Sequence, residues 1–582
     1  MSARAARTAA VAVCATALSG TLLTATAGEH PAARFDRPAD GFMAPGTVLH
    51  DAAPGDVGLD PDRIDALTTD AASFTRPAPG EEHPLYASSV VLAAHAGAVV
   101  AEDAAGWSLR YADGEGTPLP ADERIRASTD TIYDLASVSK LFTTIVVLQQ
   151  VEAGRIELDA PVADYLPAFA ANGKQDITVR QLLTHTSGLV PWIPLWSNWA
   201  TVQERIDAVM NTTPRTEPGT AYDYSDLNMI TAGLVAEEVT GRGLDELVRD
   251  GITEPLGMVD TGYNPSPDEL SRIAATEYQA SPDRGMVHGE VHDENAWSLG
   301  GVAGHAGVFG TARDLARLAQ AILNGGVYDG ARILEKATVE TMLTNENTEF
   351  PGDAHGLGFE LDQRWYMDAL TAPSTAGHTG YTGTSMVIDP QSRSFVILLT
   401  NRVHPSRNWG SVNPARRAVA HHLAYSMAVP PASGSTAWAA HDTGSTTSTL
   451  DLPVQLRDDS TLTFDLFADT ESTDPFRLEI STDGGATWDP VPFTARRGGS
   501  SITAGDGVVS GYHDRRWWRA RADLPDVTGS ATLRWRYGTD PLYTGRGVVV
   551  DGVRVHTRGL PTFHGEQHPE RFDAKGWTLT SR

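Results

Sequence analysis

The chain changes texture once, and that change sets the fold problem. Residues 429–448 are rich in Pro, Ala, Ser, Gly and Thr, the composition of a linker. A chain of 582 residues is also too long for one ordinary domain. Before the linker, the patterns run strands, helices, strands, helix. Residues 86–112 hold Val-rich runs broken by Gly97 and Gly106, which read as paired strands. Asp60-Pro61-Asp62 opens a helix, apolar spacing from 137 to about 154 predicts another, and Asp314–Leu323 is amphipathic. The runs beginning at Thr384 and Ser394 flank Pro390-Gln-Ser-Arg393 as a hairpin, and Ala415–Met427 reads as a closing helix. This order predicts an α+β domain with its helices inserted between segments of one sheet. After the linker come short alternating strands such as Leu462–Phe467 and Thr532–Tyr537, the pattern of a β-sandwich.

Arg4 and Arg7 precede an apolar, acid-free stretch to Leu23 and the small residues Ala25-Thr26-Ala27. Residues 1–27 therefore read as a secretory signal peptide, and 28–54 as an extended lead-in. The single cysteine, Cys14, lies within that leader. The remainder can form no disulfide, thiolate metal site or cysteine nucleophile. No later apolar run reaches the length of a membrane span. The net charge of −29, made more acidic by loss of Arg4 and Arg7, argues against nucleic acid and anionic lipid as partners. The expected location is extracellular.

Lys140 is one of four lysines against 41 arginines. Guanidinium stays protonated, whereas a desolvated ammonium can give up its proton, so a lysine in such a chain marks chemistry that arginine cannot do. It follows Ser137 by three residues at a predicted helix start, where the two share a face and the helix dipole favours an oxyanion. Ser-x-x-Lys is a candidate nucleophile and its activator, set against the bland reading of a cap beside a surface lysine. Two further segments add weight. Tyr224-Ser225-Asp226 lies on a loop before a predicted amphipathic helix, and its phenol could share a proton with Lys140. Gly377-His378-Thr379-Gly380-Tyr381 runs into the hairpin, where a glycine-rich edge admits substrate close to backbone N–H donors.

The ordered trio Ser-x-Ser-Lys, Tyr-Ser-Asp and His-Thr-Gly resembles the serine β-lactamase and penicillin-binding superfamily. The likeness is nearest its class C β-lactamase, D-alanyl-D-alanine carboxypeptidase and esterase branch. Leu182–Leu189, Glu254–Met258 and Val302–Phe309 match as well, and the resemblance spans roughly 55–428. It implies an antiparallel sheet with flanking helices and a largely helical inserted subdomain. It also implies Ser137 as acylated nucleophile, with Lys140 and Tyr224 sharing acid–base work. The N–H groups of Ser137 and Tyr381 would form the oxyanion hole, and Asp226, His378, Thr379 and Gly380 would contact substrate. The implied reaction is acyl transfer to water from an ester, amide or lactam, with no metal or cofactor. Two positions depart from the pattern. Asp226 stands where relatives carry asparagine, and His378 where they carry lysine. Both reduce the attraction for an anionic β-lactam or peptide terminus, and so favour esterase or D-amino-acid peptidase activity. The alternative is a non-catalytic protein that keeps the fold to bind cell-wall peptide or glycan.

In 449–582, Ser481-Thr-Asp-Gly-Gly-Ala-Thr-Trp488 resembles an Asp-box hairpin, read first as a structural turn. Trp517 and Trp518 are candidates for stacking on sugar, although core packing is the commoner role. Asp551 is a weak calcium candidate without a ligand set. His185 and His305 read as loop-holding residues, and His292-Asp-Glu and His421-His422 lack metal-site spacing.

Overall fold

In the computed structural model, described over residues 32–440 and 444–582, the valine-rich runs meet at a tight turn. Ala96 and Gly97 both have positive φ, 51° and 90°, the geometry of a two-residue hairpin loop. With β1 (His50–Asp51) on its outer side, the hairpin supplies β2 (Ser88–His95) and β3 (Ala98–Leu109). The same sheet then takes β4 (Glu360–Leu361), β5 (Ala376–Thr379), β6 (Ser385–Asp389) and β7 (Ser394–Thr400). Its order is β1-β3-β2-β7-β6-β5-β4, with Ile125–Arg126 added to β3. The β1–β3 pair is parallel and every other pair is antiparallel. The expected signal peptide lies outside the described residues.

These strands read as continuous apolar runs because both faces of the sheet are covered. In β2, Val90, Leu92 and Ala94 enter one core while Val91 and Ala93 enter the other. In β7, Phe395, Ile397 and Leu399 alternate with Val396 and Leu398 in the same way. One face packs on α1 (Pro61–Ser73) and the C-terminal helix Asn413–Ser426. The other packs on α2 (Ser139–Glu152), α3 (Asp226–Thr240) and α4 (Ala312–Leu323), inserted with their loops between β3 and β4. The helix at 413–426 is α5. One expectation is corrected here. The helix after Tyr224 is not amphipathic, because α3 buries residues all round from Leu227 to Gly233. It is a core helix between α2 and the inserted loops.

The second unit is two antiparallel sheets packed face to face. One contains β8 (Ala437–Ala440), and the other is led by β9 (Thr447–Leu456). Part of the segment expected as a linker, Ala437–Ala440, is therefore a strand. β8 pairs with Gly547–Thr557 on one edge and with Trp577–Thr580 on the other. Its Ala-Trp-Ala-Ala sequence has low strand propensity, and its place is set by apolar burial on both faces. The lead-in is likewise tied down, with Phe35 buried and Arg34 bridged to Ala428. Trp518 is buried in the sandwich core, and Trp517 packs edge-on against Phe467, so neither is an exposed sugar platform. Asp551 is buried and accepts from the Ser433 and Gly552 N–H groups.

The two units share a core. Phe467 and Val549 of the sandwich join the cluster containing Val387, Val419 and Leu423. Arg515 is buried between them. It donates to Asp389 Oδ2 at 2.6 Å and to the Leu370 carbonyl at 2.5 Å, and it lies 4.2 Å over the Phe35 ring.

Candidate active site

Ser137 sits in a single helical turn, Ala136–Val138, that feeds directly into α2. Ala136 before it has φ 47°, an uncommon conformation for alanine, held because its N–H donates to buried Asp134 at 2.8 Å. The turn is clasped from the sheet side, where the Thr382 and Thr384 hydroxyls donate to the Asp134 and Leu135 carbonyls. A Cβ on Gly380 would stand 2.4 Å from the Leu135 oxygen. Glycine is thus required for β5 to approach the serine turn, which is the physical content of the His-Thr-Gly motif.

Lys140, wholly buried on the first turn of α2, donates to Ser137 Oγ at 2.9 Å and to the His305 carbonyl at 3.1 Å. Its Nζ is 4.9 Å from the Tyr224 ring centroid and 2.8 Å from Asp226 Oδ1. Burial alone would depress the ammonium. The Asp226 carboxylate and Tyr224 outweigh it, and Lys140 is held well above its ordinary value. The resting lysine is therefore a cation, not the neutral amine that the motif alone suggested. Burial pushes the Tyr224 phenol up to about 12, although Lys140 pulls against it. Tyr224 is held by its loop. The Ser225 N–H donates to His185 Nδ1 at 3.1 Å, and the imidazole lies 4.6 Å from the tyrosine ring. His185 thus has the loop-holding role expected of it.

His378 is buried beside this group. Its Nδ1 donates to the Thr379 carbonyl at 2.8 Å, which leaves Nε2 a lone-pair acceptor without a protein partner. Burial, with Lys140 adding to it, depresses His378 to about 3, so it is neutral. Ser139, the other serine of the motif, is fully buried and accepts from the Val308 N–H at 3.0 Å.

Two cavities flank Ser137. One, of about 420 Å³, is lined by Tyr222, Glu360, His378, Thr379, Gly380 and Arg416 among others. The second, of about 320 Å³, is lined by Trp192, Asp226, His292, Asp293, Glu294 and Arg407, with Tyr224 and Tyr381 common to both. The structure thus brings all eight residues singled out in the sequence together, with Ser137 between the two cavities. Among the described residues, Asp226, Asp293 and His305 offer ligand atoms within 4.8 Å of one another, as do Glu471, Asp474 and Asp540 in the sandwich. The first trio already holds Lys140 and a His305–Asp293 bond of 2.9 Å.

A family model described as Beta-lactamase matches residues 84–421. An Escherichia coli K12 protein named "Putative D-alanyl-D-alanine carboxypeptidase" is 33% identical over 315 residues, 49% of this chain and 72% of that protein. The chain belongs to the β-lactamase family. Among solved structures, a penicillin-binding protein homolog from Caulobacter crescentus matches 64% of the chain and 99% of its own length, at 22% identity and TM-score 0.48. A family VIII carboxylesterase matches the same shares at 24% identity and TM-score 0.47.

Within this β-lactamase-family hydrolase, sequence reading missed Trp192, Asp293, Glu294, Glu360 and Arg416 as site residues. Asp293 and Glu294 were visible as His292-Asp-Glu but were weighed for metal spacing alone. Nothing local marks Glu360, which reaches the cavity from the short β4, nor Arg416 from α5.

Proposed function

We propose that this protein is a secreted serine hydrolase that cleaves an ester or amide through an acyl-enzyme on Ser137. The observation that carries this reading is the 2.9 Å contact from the buried Lys140 ammonium to the Ser137 hydroxyl, at the junction of two substrate-sized cavities. Once the Tyr224–Lys140 pair has given one proton to solvent, Ser137 Oγ adds to the substrate carbonyl carbon while its own proton passes to that pair. That proton then leaves with the alcohol or amine, and water repeats the sequence to free the acid. The N–H groups of Ser137 and Tyr381 stabilise the oxyanion. Because Lys140 is held as a cation and Tyr224 as a phenol, the pair accepts a proton more readily as pH rises. Activity should therefore climb on the alkaline side of neutrality.

The family branch that acts on carboxylate-bearing peptides needs a cation for that carboxylate. Here His378 is neutral, and Arg416 is engaged with the Gly380 and Thr384 carbonyls at 2.7 and 2.9 Å. Arg402, the other arginine lining that cavity, donates to the Arg407 carbonyl at 2.7 Å and lies over the Tyr381 ring. This favours substrates without a terminal carboxylate over a β-lactam or a D-alanyl-D-alanine terminus. Secretion rests on the leader pattern of residues 1–27. The test is a panel of p-nitrophenyl acetate, D-amino-acid p-nitroanilides and nitrocefin. Turnover of the first two above nitrocefin is expected, and efficient nitrocefin hydrolysis with inert esters and anilides would refute the reading.

A further inference from the structure

We propose that the cavity on the Asp226 side of Ser137 is a cationic-acyl pocket, selecting esters or amides of an amino acid with a free α-ammonium. The inference rests on the serine hydrolase reading above and adds the substrate class. Asp226, Asp293 and Glu294 line the pocket, and Glu277 stands behind His292 at 2.9 Å. Against these four carboxylates stand Lys140 and Arg407, both engaged, while Arg402 and Arg284 act on Glu277 and Glu294 through space with their own hydrogen bonds spent on the Arg407 and Val291 carbonyls. Lys140 is on Asp226, and Arg407 is at 2.5 Å from both Glu277 and Glu294. His292 and His305 are bonded to Glu277 and Asp293. The Asp226 side chain keeps 19% of its surface and the Asp293 side chain 25%.

The spacing suits an ammonium. The Asp226 and Asp293 oxygens lie within 4.8 Å, a gap that one –NH3+ bridges with a hydrogen bond to each side. Asp226 Oδ1 and Ser137 Oγ lie on the same lysine nitrogen, at 2.8 and 2.9 Å, a separation that an α-ammonium beside an acyl carbon spans. Trp192 lines the pocket, is 46% exposed, and brings an aromatic ring that can attract a cation. The Tyr381 ring is less available, since Arg402 and Arg407 already lie over it at 4.7 and 5.6 Å from its centroid. An N-acylated substrate would instead place a carbonyl oxygen against carboxylates that cannot donate to it.

The test compares kcat/KM for alanine methyl ester and N-acetylalanine methyl ester, in both enantiomers, with the full-length protein, alongside fluorophosphonate labelling of Ser137. The free-ammonium ester should be preferred by at least about tenfold. That ratio should collapse towards one in Asp293→Asn and in Asp226→Asn, the second variant guarding against misfolding of the first. A ratio of one or below in a wild-type protein that labels at Ser137 overturns the pocket and leaves the hydrolase standing. Failure to label overturns both. A preference abolished by EDTA and restored by a divalent cation also overturns it, since the carboxylates would then hold a metal.

Discussion

At the scale of single residues, the sequence made Lys140 conspicuous but could not assign its charge. Lysine three residues after serine predicts contact, and the contact is present at 2.9 Å. Its protonation depends on Asp226, 86 positions away, whose carboxylate lies 2.8 Å from the same nitrogen. Asp226 was legible as a departure from asparagine, though read only as weakening the attraction for an anionic substrate. Asp226→Asn removes the charge that raises Lys140, so its ammonium should lose a proton at lower pH. The acid limb of the kcat/KM–pH profile for p-nitrophenyl acetate should then move down by about one unit or more. An unmoved limb would mean that Asp226 does not govern Lys140.

At the scale of elements, the strand and helix pattern of the first 428 residues was largely legible, because alternating apolar runs and 3.6-residue spacing encode burial directly. Where two elements approach closely, less was readable. Gly380 read as room for substrate at a strand edge, whereas it also permits the turn at Leu135–Ala136 to sit against the end of β5. Gly380→Ala should cost about 1–3 kcal/mol by overpacking, read as a fall in melting temperature. Labelling of Ser137, the proposed nucleophile, should fall with it, since the turn that carries it must shift. The loop network beside the site adds a pH response. Burial would raise the Glu277 carboxyl, but hydrogen bonds from His292 and Arg407 outweigh it and take Glu277 from 4.5 to about 2. A depressed carboxylate contributes stability above its unfolded pKa and loses it as pH falls towards the folded one. Melting temperature should drop between pH 4.5 and about 2, and Arg407→Gln should flatten that part of the curve relative to wild type.

At the scale of the whole molecule, two units were legible and their union was not. The Pro/Ser/Gly/Thr composition of 429–448 predicted a linker, yet β8 within it is the middle strand of three in its part of the sandwich sheet. Short alanine-rich strands carry no periodic signal, so their partners alone define them. A fragment 430–582 should therefore give a cooperative unfolding transition by circular dichroism, and 449–582 should not. Arg515 likewise looks ordinary in sequence but closes the interface against Asp389 and two carbonyls. Arg515→Met leaves Asp389 buried without its ion-pair partner, a loss of about 3–5 kcal/mol. Calorimetry should show that loss as a separate, earlier transition.

The central claim is that Ser137 is the residue acylated. The most direct measurement is intact and peptide mass spectrometry after a fluorophosphonate probe, on wild type, Ser137→Ala and Ser139→Ala. One adduct is expected, on Ser137, lost in Ser137→Ala and retained in any Ser139→Ala protein that folds. An adduct that persists in Ser137→Ala, or that maps to another residue, would contradict it.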